Sequence, residues 1–181
     1  TGRFTSPHLH TIRERISIAG EPISEEAFLA AYDEVIPFIE MVDAQSAETG
    51  DPLMTYFEVV VAVAYAAFAD APIDIGIIEV GMGGAWDATN VIDADVAVLV
   101  PIDIDHTHFL GHSVEEIAGE KVGIIKPGAV AVSAVQPHEE AWGLIRARAG
   151  EVDARLVTEG IDFGVLTREV AVGGQLMSMR G

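Results

Sequence analysis

IDIGIIEVGMGG, residues 73–84, is the stretch whose reading decides the fold. Its first part, 73–79, reads as a continuous apolar strand, the pattern of a parallel sheet covered on both faces. A glycine turn, Gly81-Met82-Gly83-Gly84, follows directly. Upstream, 56–69 reads as a helix apolar nearly all round, and therefore buried, ended by Asp70-Ala71-Pro72. Downstream, 95–102 is a second apolar strand that closes at Asp105-His106, and 129–135 is a third. Between these two, Ser113 and Glu116 make a capping box for a short helix that reaches Lys121 and stops at Gly123. Apolar strands alternating with helices predict an α/β fold: a mainly parallel sheet with flanking helices.

The flanks extend this pattern. Arg3-Phe4-Thr5-Ser6-Pro7 reads as the end of a strand entering a turn, because a residue before proline avoids the helical region. Residues 23–42 read as a helix: Ser24 caps it, Glu25 and Glu26 suit its positive end, and Phe28, Ala31, Tyr32 and Val35 form its apolar stripe. Pro37 is expected to bend or break that helix, and 43–52 to be a polar loop. Toward the C-terminus, 139–149 reads as an amphipathic helix, Leu156 as part of a short strand, and 165–179 as a β-hairpin around Gly173-Gly174.

Composition narrows the function classes. A chain of 181 residues can bury the core of one globular domain. Half its residues are apolar, yet the longest apolar stretch, 59–69, falls short of the roughly 18 residues of a membrane span. The first residues carry Arg3, His8 and His10 rather than the basic-then-apolar block of a signal peptide. The absence of cysteine excludes disulfides, thiol catalysis and cysteine-type zinc sites, and makes the cytoplasm the default compartment. A net charge of −19 argues against a nucleic-acid surface and repels anionic ligands at long range. A bound divalent cation is one local feature that would offset that repulsion.

In open parallel sheets the ligand crevice lies outside the carboxyl ends of the strands. Thr5-Ser6, Glu79 and Asp105-His106 each fall at such an end. Polar residues there often do no more than bond nearby backbone. Glu79 is the sharpest of them, since a carboxylate entering an apolar layer behind Ile77-Ile78 needs a partner. A magnesium ion, which prefers oxygen ligands and keeps several waters, would be one. The glycine turn lets backbone approach a ligand closely. It has neither the third-glycine spacing of a dinucleotide fingerprint nor the Lys-Ser ending of a phosphate loop.

The segment Ile77-Ile78-Glu79-Val80-Gly81-Met82-Gly83-Gly84-Ala85-Trp86-Asp87-Ala88-Thr89-Asn90-Val91-Ile92 closely resembles the pattern of the folylpolyglutamate synthase/dihydrofolate synthase family. Four further blocks are similar to that family, in its order and spacing. They are Thr5-Ser6-Pro7-His8-Leu9 with Arg13-Glu14-Arg15-Ile16, then Thr55-Tyr56-Phe57-Glu58, then Asp105-His106 with Leu110-Gly111, and finally 117–127, where Val122 replaces the usual alanine. Together they cover nearly the whole chain. The family belongs to the Mur-ligase superfamily, and the resemblance implies its central, P-loop-type domain. It also implies an ATP- and Mg2+-dependent amide ligase: ATP phosphorylates a carboxylate of dihydropteroate or a reduced folate, and the amine of L-glutamate displaces the phosphate.

Carried over position by position, the resemblance makes Ser6, Glu79 and His106 magnesium ligands or near-ligands. Lys121 corresponds to a lysine that adds carbon dioxide to become a carbamate. Taken by itself, Lys121 is a helix-end cation offsetting the dipole. Thr55, Phe57 and Glu58 resemble the pterin-side pocket, bordered by Asp87 and Ala88; as an isolated residue, Phe57 could equally be helix packing. His108 and His112 read as solvated loop residues, and His138 as the start of a surface helix.

The family's phosphate-binding turn is expected before Thr1, and its smaller glutamate-side domain beyond Gly181. Residues 1–181 therefore read as a partial central domain lacking its first strand, inactive alone, from an enzyme expected to be a monomer that binds neither nucleic acid nor membrane. The sequence leaves two alternatives. A muramyl-peptide ligase of the same superfamily is disfavoured by the Asp87-Ala88-Thr89-Asn90 and Thr55-Tyr56-Phe57-Glu58 blocks. A dead fragment that only binds magnesium or a pterin stays open at this level.

Overall fold

The computed structural model describes all of residues 1–181. The chain forms two compact units, Thr1–Gly81 with Asp87–Val91, and Met82–Trp86 with Ile92–Gly181. The sequence had suggested a single domain.

The first unit contains β1 (Gly2–Phe4), a 3-10 turn (Ile12–Arg15), β2 (Ile16–Ile18), β3 (Glu21–Pro22), α1 (Glu25–Thr49), α2 (Tyr56–Asp70) and β4 (Gly76–Ile78), with a second 3-10 turn at Ala88–Val91. Its sheet runs β3-β2-β1-β4. β4 pairs parallel with β1, Phe4 opposite Ile78, while β2 pairs antiparallel on the other side of β1. The core is built by α2 against the sheet: Val60, Val61, Val63, Ala64 and Phe68 pack with Phe4, Ile16 and Ile23. Thr55 and Glu58 close a capping box at the start of α2, satisfying amides that the first helical turn leaves unpaired.

The second unit contains β5 (Val96–Leu99), α3 (Thr107–Leu110), α4 (Val114–Lys121), a 3-10 turn (Val122–Ile124), β6 (Val130–Ser133), α5 (Glu139–Glu151), β7 (Arg155–Thr158), β8 (Gly164–Ala171) and β9 (Gly174–Arg180). β5, β6 and β7 form a wholly parallel sheet, and β8 with β9 the expected hairpin. Ile117, Ile125, Ala131, Ala141 and Ile145 sit fully buried between α4, α5 and the sheet. The Ser113–Glu116 capping box forms as expected.

Three expectations need correction. α1 runs straight through Pro37 to Thr49, absorbing most of the expected polar loop. Pro37 and Asp33 are both exposed, so water can bond the Asp33 carbonyl that proline leaves without a donor. The helix stops instead at Gly50, in a left-handed cap at φ 82°. The short strands β2 and β3, which carry the chain away from the first strand, were not anticipated.

The third correction concerns strand cover. Ile75 and Ile77 in and beside β4, and Val96, Val98 and Val100 in and beside β5, are all more than half exposed. Within its own unit β4 has one neighbour, β1, and β5 has one neighbour, β6. Each unit thus presents an unpaired strand edge beside apolar side chains, a template for further pairing. The purified 181-residue chain should therefore associate as its concentration rises, and Ile77→Lys with Val98→Lys should reduce this. Light scattering showing a sharp-melting monomer at high concentration would contradict it.

Candidate active site

The parallel pairing of β1 with β4 brings two chain ends to one edge of the sheet. Phe4 leads into Thr5-Ser6, and Ile78, its partner in register, leads into Glu79. The Glu79 amide donates to the Phe4 carbonyl at 3.0 Å, extending the ladder by one bond. The Ser6 amide then donates to Glu79 Oε2 at 2.8 Å. The Ser6-Pro7 peptide is cis. Two of the sequence-selected residues are thus in direct contact.

Glu79 is exposed rather than sunk in an apolar layer. Its partner in the chain is an amide, and Oε1 accepts no protein hydrogen bond. No group of three or more His, Asp and Glu side chains gathers anywhere in the chain to enclose a metal. This donor set fits magnesium, which is commonly held by one or two carboxylates while waters and phosphate oxygens complete its shell.

The loop after Ser6 is shaped by Glu14. Its carboxylate accepts amides from Leu9 at 2.9 Å, His10 at 3.1 Å and Thr11 at 2.9 Å. The Leu9 and Thr11 bonds hold this exposed carboxyl below its ordinary pKa. Arg15, buried beneath the same loop, donates through Nε to His8 Nδ1 at 2.9 Å, and its guanidinium lies 5.6 Å over the Tyr56 ring. Sequence reading missed this cluster, since an arginine ending the charged run Arg13-Glu14-Arg15 looks like solvent surface.

The pterin-side candidates occupy the start of α2 and the turn at 88–91. Thr55 and Glu58 are engaged with each other's backbone: the Thr55 amide donates to Glu58 Oε2 at 2.6 Å, and the Glu58 amide to Thr55 Oγ1 at 3.3 Å. Phe57 is half-buried, its ring 5.9 Å from that of Phe4. Asp87 is buried and accepts from the amide and hydroxyl of Thr89, at 3.0 and 2.5 Å. Ala88 packs on the same apolar cluster as Phe57.

The glycine turn has reasons of its own. A Cβ at Gly84 would lie 2.5 Å from the Glu120 carbonyl oxygen and 3.0 Å from Lys121 Cα. At Gly81 it would run into the Phe57 ring. Adjacent to Gly84, the Ala85 amide donates to the Glu120 carbonyl at 2.9 Å. These glycines clear space for neighbouring protein atoms. In the second unit they seat the turn on the C-terminal end of α4, at Lys121.

Lys121 is half-buried and forms no salt bridge. His106 lies in that unit, beyond the end of β5 and not at its last residue, in a left-handed conformation at φ 50°. Its amide donates to Asp105 Oδ1 at 2.7 Å, and its carbonyl accepts from Phe109 and Leu110. A non-glycine residue in that region carries strain that is often kept at functional sites. Of the remaining histidines, His108 lies within α3 rather than in a loop, and the His112 amide donates to Glu116. His138 caps α5, its Nε2 3.1 Å from Asp103.

Dihydrofolate synthase/folylpolyglutamate synthase of Mycobacterium tuberculosis is 48% identical to this chain over 190 residues, spanning 100% of the chain and 39% of that protein. The chain belongs to the folylpolyglutamate synthase/dihydrofolate synthase family. No family model matches it. A solved structure of the M. tuberculosis folylpolyglutamate synthase with ADP and AMPPCP superposes with a TM-score of 0.91, over 98% of this chain and 40% of that one. An FPGS complex with AMPPCP and folate, 33% identical, gives 0.88 over 98% of this chain and 42% of that one. The chain therefore spans about two fifths of the family members it matches. Their fold, a Mur-ligase-type α/β arrangement, is the fold of this chain.

Proposed function

We propose that the protein carrying this chain is an ATP- and Mg2+-dependent ligase that adds L-glutamate to dihydropteroate, to reduced folates, or to both, through an acyl phosphate. The observation that carries this reading is the 48% identity over the whole chain. Residues 1–181 supply part of the central domain, while the phosphate-binding turn and the glutamate-side domain belong to other parts of the protein, whose working form is a monomer. A cysteine-free chain, in which no helix is long and apolar enough to cross a membrane, suits the cytoplasm.

The local geometry supports the following residue roles. Glu79 is the carboxylate ligand for magnesium; Ser6, whose amide already aims the Glu79 carboxylate, stands beside it. Bound magnesium supplies neutralisation of phosphoryl charge. His106, fixed by its strained backbone, offers a ring that is about half exposed, at 51%. Phe57 offers an aromatic face for a flat heterocycle; Thr55, Glu58, Asp87 and Ala88 border it.

Lys121, after losing a proton, attacks carbon dioxide through its neutral amine and releases a second proton to solvent, giving a carbamate that replaces a cation with an anion on the helix that the glycine turn contacts. Lys121→Ala should lose most activity and regain part of it in millimolar acetate or propionate. A variant as active as the parent would remove the residue from the mechanism.

The test of the whole reading is nucleotide turnover by the full-length protein. ADP should form only when magnesium, L-glutamate and a pteroate- or folate-type acid are all present, and residues 1–181 alone should form none. Turnover with a nucleotide-linked muramyl peptide instead of the pterin acid would overturn it.

A further inference from the structure

The two halves of the proposed pterin wall come from segments about thirty residues apart: Thr55, Phe57 and Glu58 at the N-cap and first turn of α2, and Asp87 and Ala88 where the later turn begins. One side chain joins them. The Tyr65 hydroxyl, on α2 about two helical turns after Phe57, donates to the Thr89 carbonyl at 2.7 Å. Thr89 is itself 2% exposed, and its amide and hydroxyl both go to Asp87 Oδ1. The path from Tyr65 through Thr89 to Asp87 is continuous, buried along most of its length, and contained in the first unit.

We propose that Tyr65 is a positioning residue for substrate recognition, fixing Asp87 and Ala88 relative to Phe57 so that both can meet the flat heterocycle of the acid. This rests on the function proposed above and assigns the placement of its pterin subsite to a residue that does not touch substrate. A hydroxyl is well suited to the task. Burial, helped by the Asp87 carboxylate, pushes the Tyr65 phenol up to about 12, so it remains a donor throughout the physiological range. Thr89 contributes its carbonyl to Tyr65 and its two donors to Asp87, so a shift at either end is passed along.

The experiment uses full-length enzyme carrying Tyr65→Phe, with Thr89→Val and Thr89→Ser as companions. Tyr65→Phe keeps the ring and its packing and removes one buried hydrogen bond, enough for about a tenfold change in an affinity. KM for the pterin acid should rise about tenfold, while kcat and KM for ATP stay within about twofold. Thr89→Val, which removes the hydroxyl held by Asp87, should behave alike; Thr89→Ser, which keeps it, should stay near the parent. If Tyr65→Phe fails to fold, the Thr89 pair still decides the matter. An unchanged KM for the acid in either hydroxyl-deleted variant that folds, or an equal rise in KM for ATP, would overturn the positioning role. A parent enzyme that does not turn over pterin acids would instead overturn the underlying function.

Discussion

Glu79→Gln in the full-length protein should lower turnover by about a hundredfold or more, with the remaining activity requiring higher magnesium concentrations. The substitution is nearly isosteric. A glutamine side-chain oxygen can still accept the Ser6 amide that Oε2 accepts at 2.8 Å, so the edge formed by β1 and β4 keeps its shape. What disappears is the negative charge. Glu79 is exposed, and an exposed polar exchange ordinarily changes stability by no more than about 0.5 kcal/mol. Steady-state rates over a magnesium series, with a melt of each protein, check this. A variant with the parent rate would make Glu79 an acceptor for Ser6 and nothing more.

Gly84→Ala should destabilise the second unit by roughly 2–3 kcal/mol, a fall of about 8–24 °C in its melt. The added methyl would stand 2.5 Å from the Glu120 carbonyl oxygen and 2.9 Å from that of Lys121. Both are backbone atoms at the end of α4 and cannot rotate away. Relief requires the turn and the helix end to part, which also strains the 2.9 Å bond from the Ala85 amide to Glu120. Gly119→Ala is the control. It lies on α4 with nothing within 4 Å of a new Cβ, so it should stabilise by about 0.5–1 kcal/mol. Equal melts for Gly84→Ala and the parent would mean the turn has another seat.

Why each feature was or was not legible in the sequence follows from the range of the forces involved. The capping boxes at Thr55 and Ser113 are local, three residues from donor to acceptor; the one at Ser113 formed as read, and the one at Thr55 went unread. The strand behind Glu79 announced itself through Ile77 and Ile78, and the parallel ends of β1 and β4 then placed Ser6 on Glu79. Pro37 misled because its cost depends on whether the orphaned carbonyl meets water, which a sequence does not record. The expected burial of Glu79 failed because an apolar run shows hydrophobicity but not which neighbours cover it. For the same reason the division into two units was invisible.

The glycine turn shows a subtler limit. Its glycines could be recognised as sites of close approach, but not whether the approaching group is a ligand or Lys121 of the same unit. Arg15 and Tyr65 were unreadable for a related reason. Each earns its place through a partner far away in sequence, Tyr56 for one and Thr89 for the other.

The central claim is that a magnesium ion is held by the carboxylate at the end of β4, and its most direct test is the anomalous scattering of Mn2+ in crystals of the full-length protein grown with a non-hydrolysable ATP analogue. A peak within bonding distance of a Glu79 carboxylate oxygen is the expected result. Manganese bound only at other carboxylates, with Glu79 still joined to the Ser6 amide and otherwise hydrated, would contradict it.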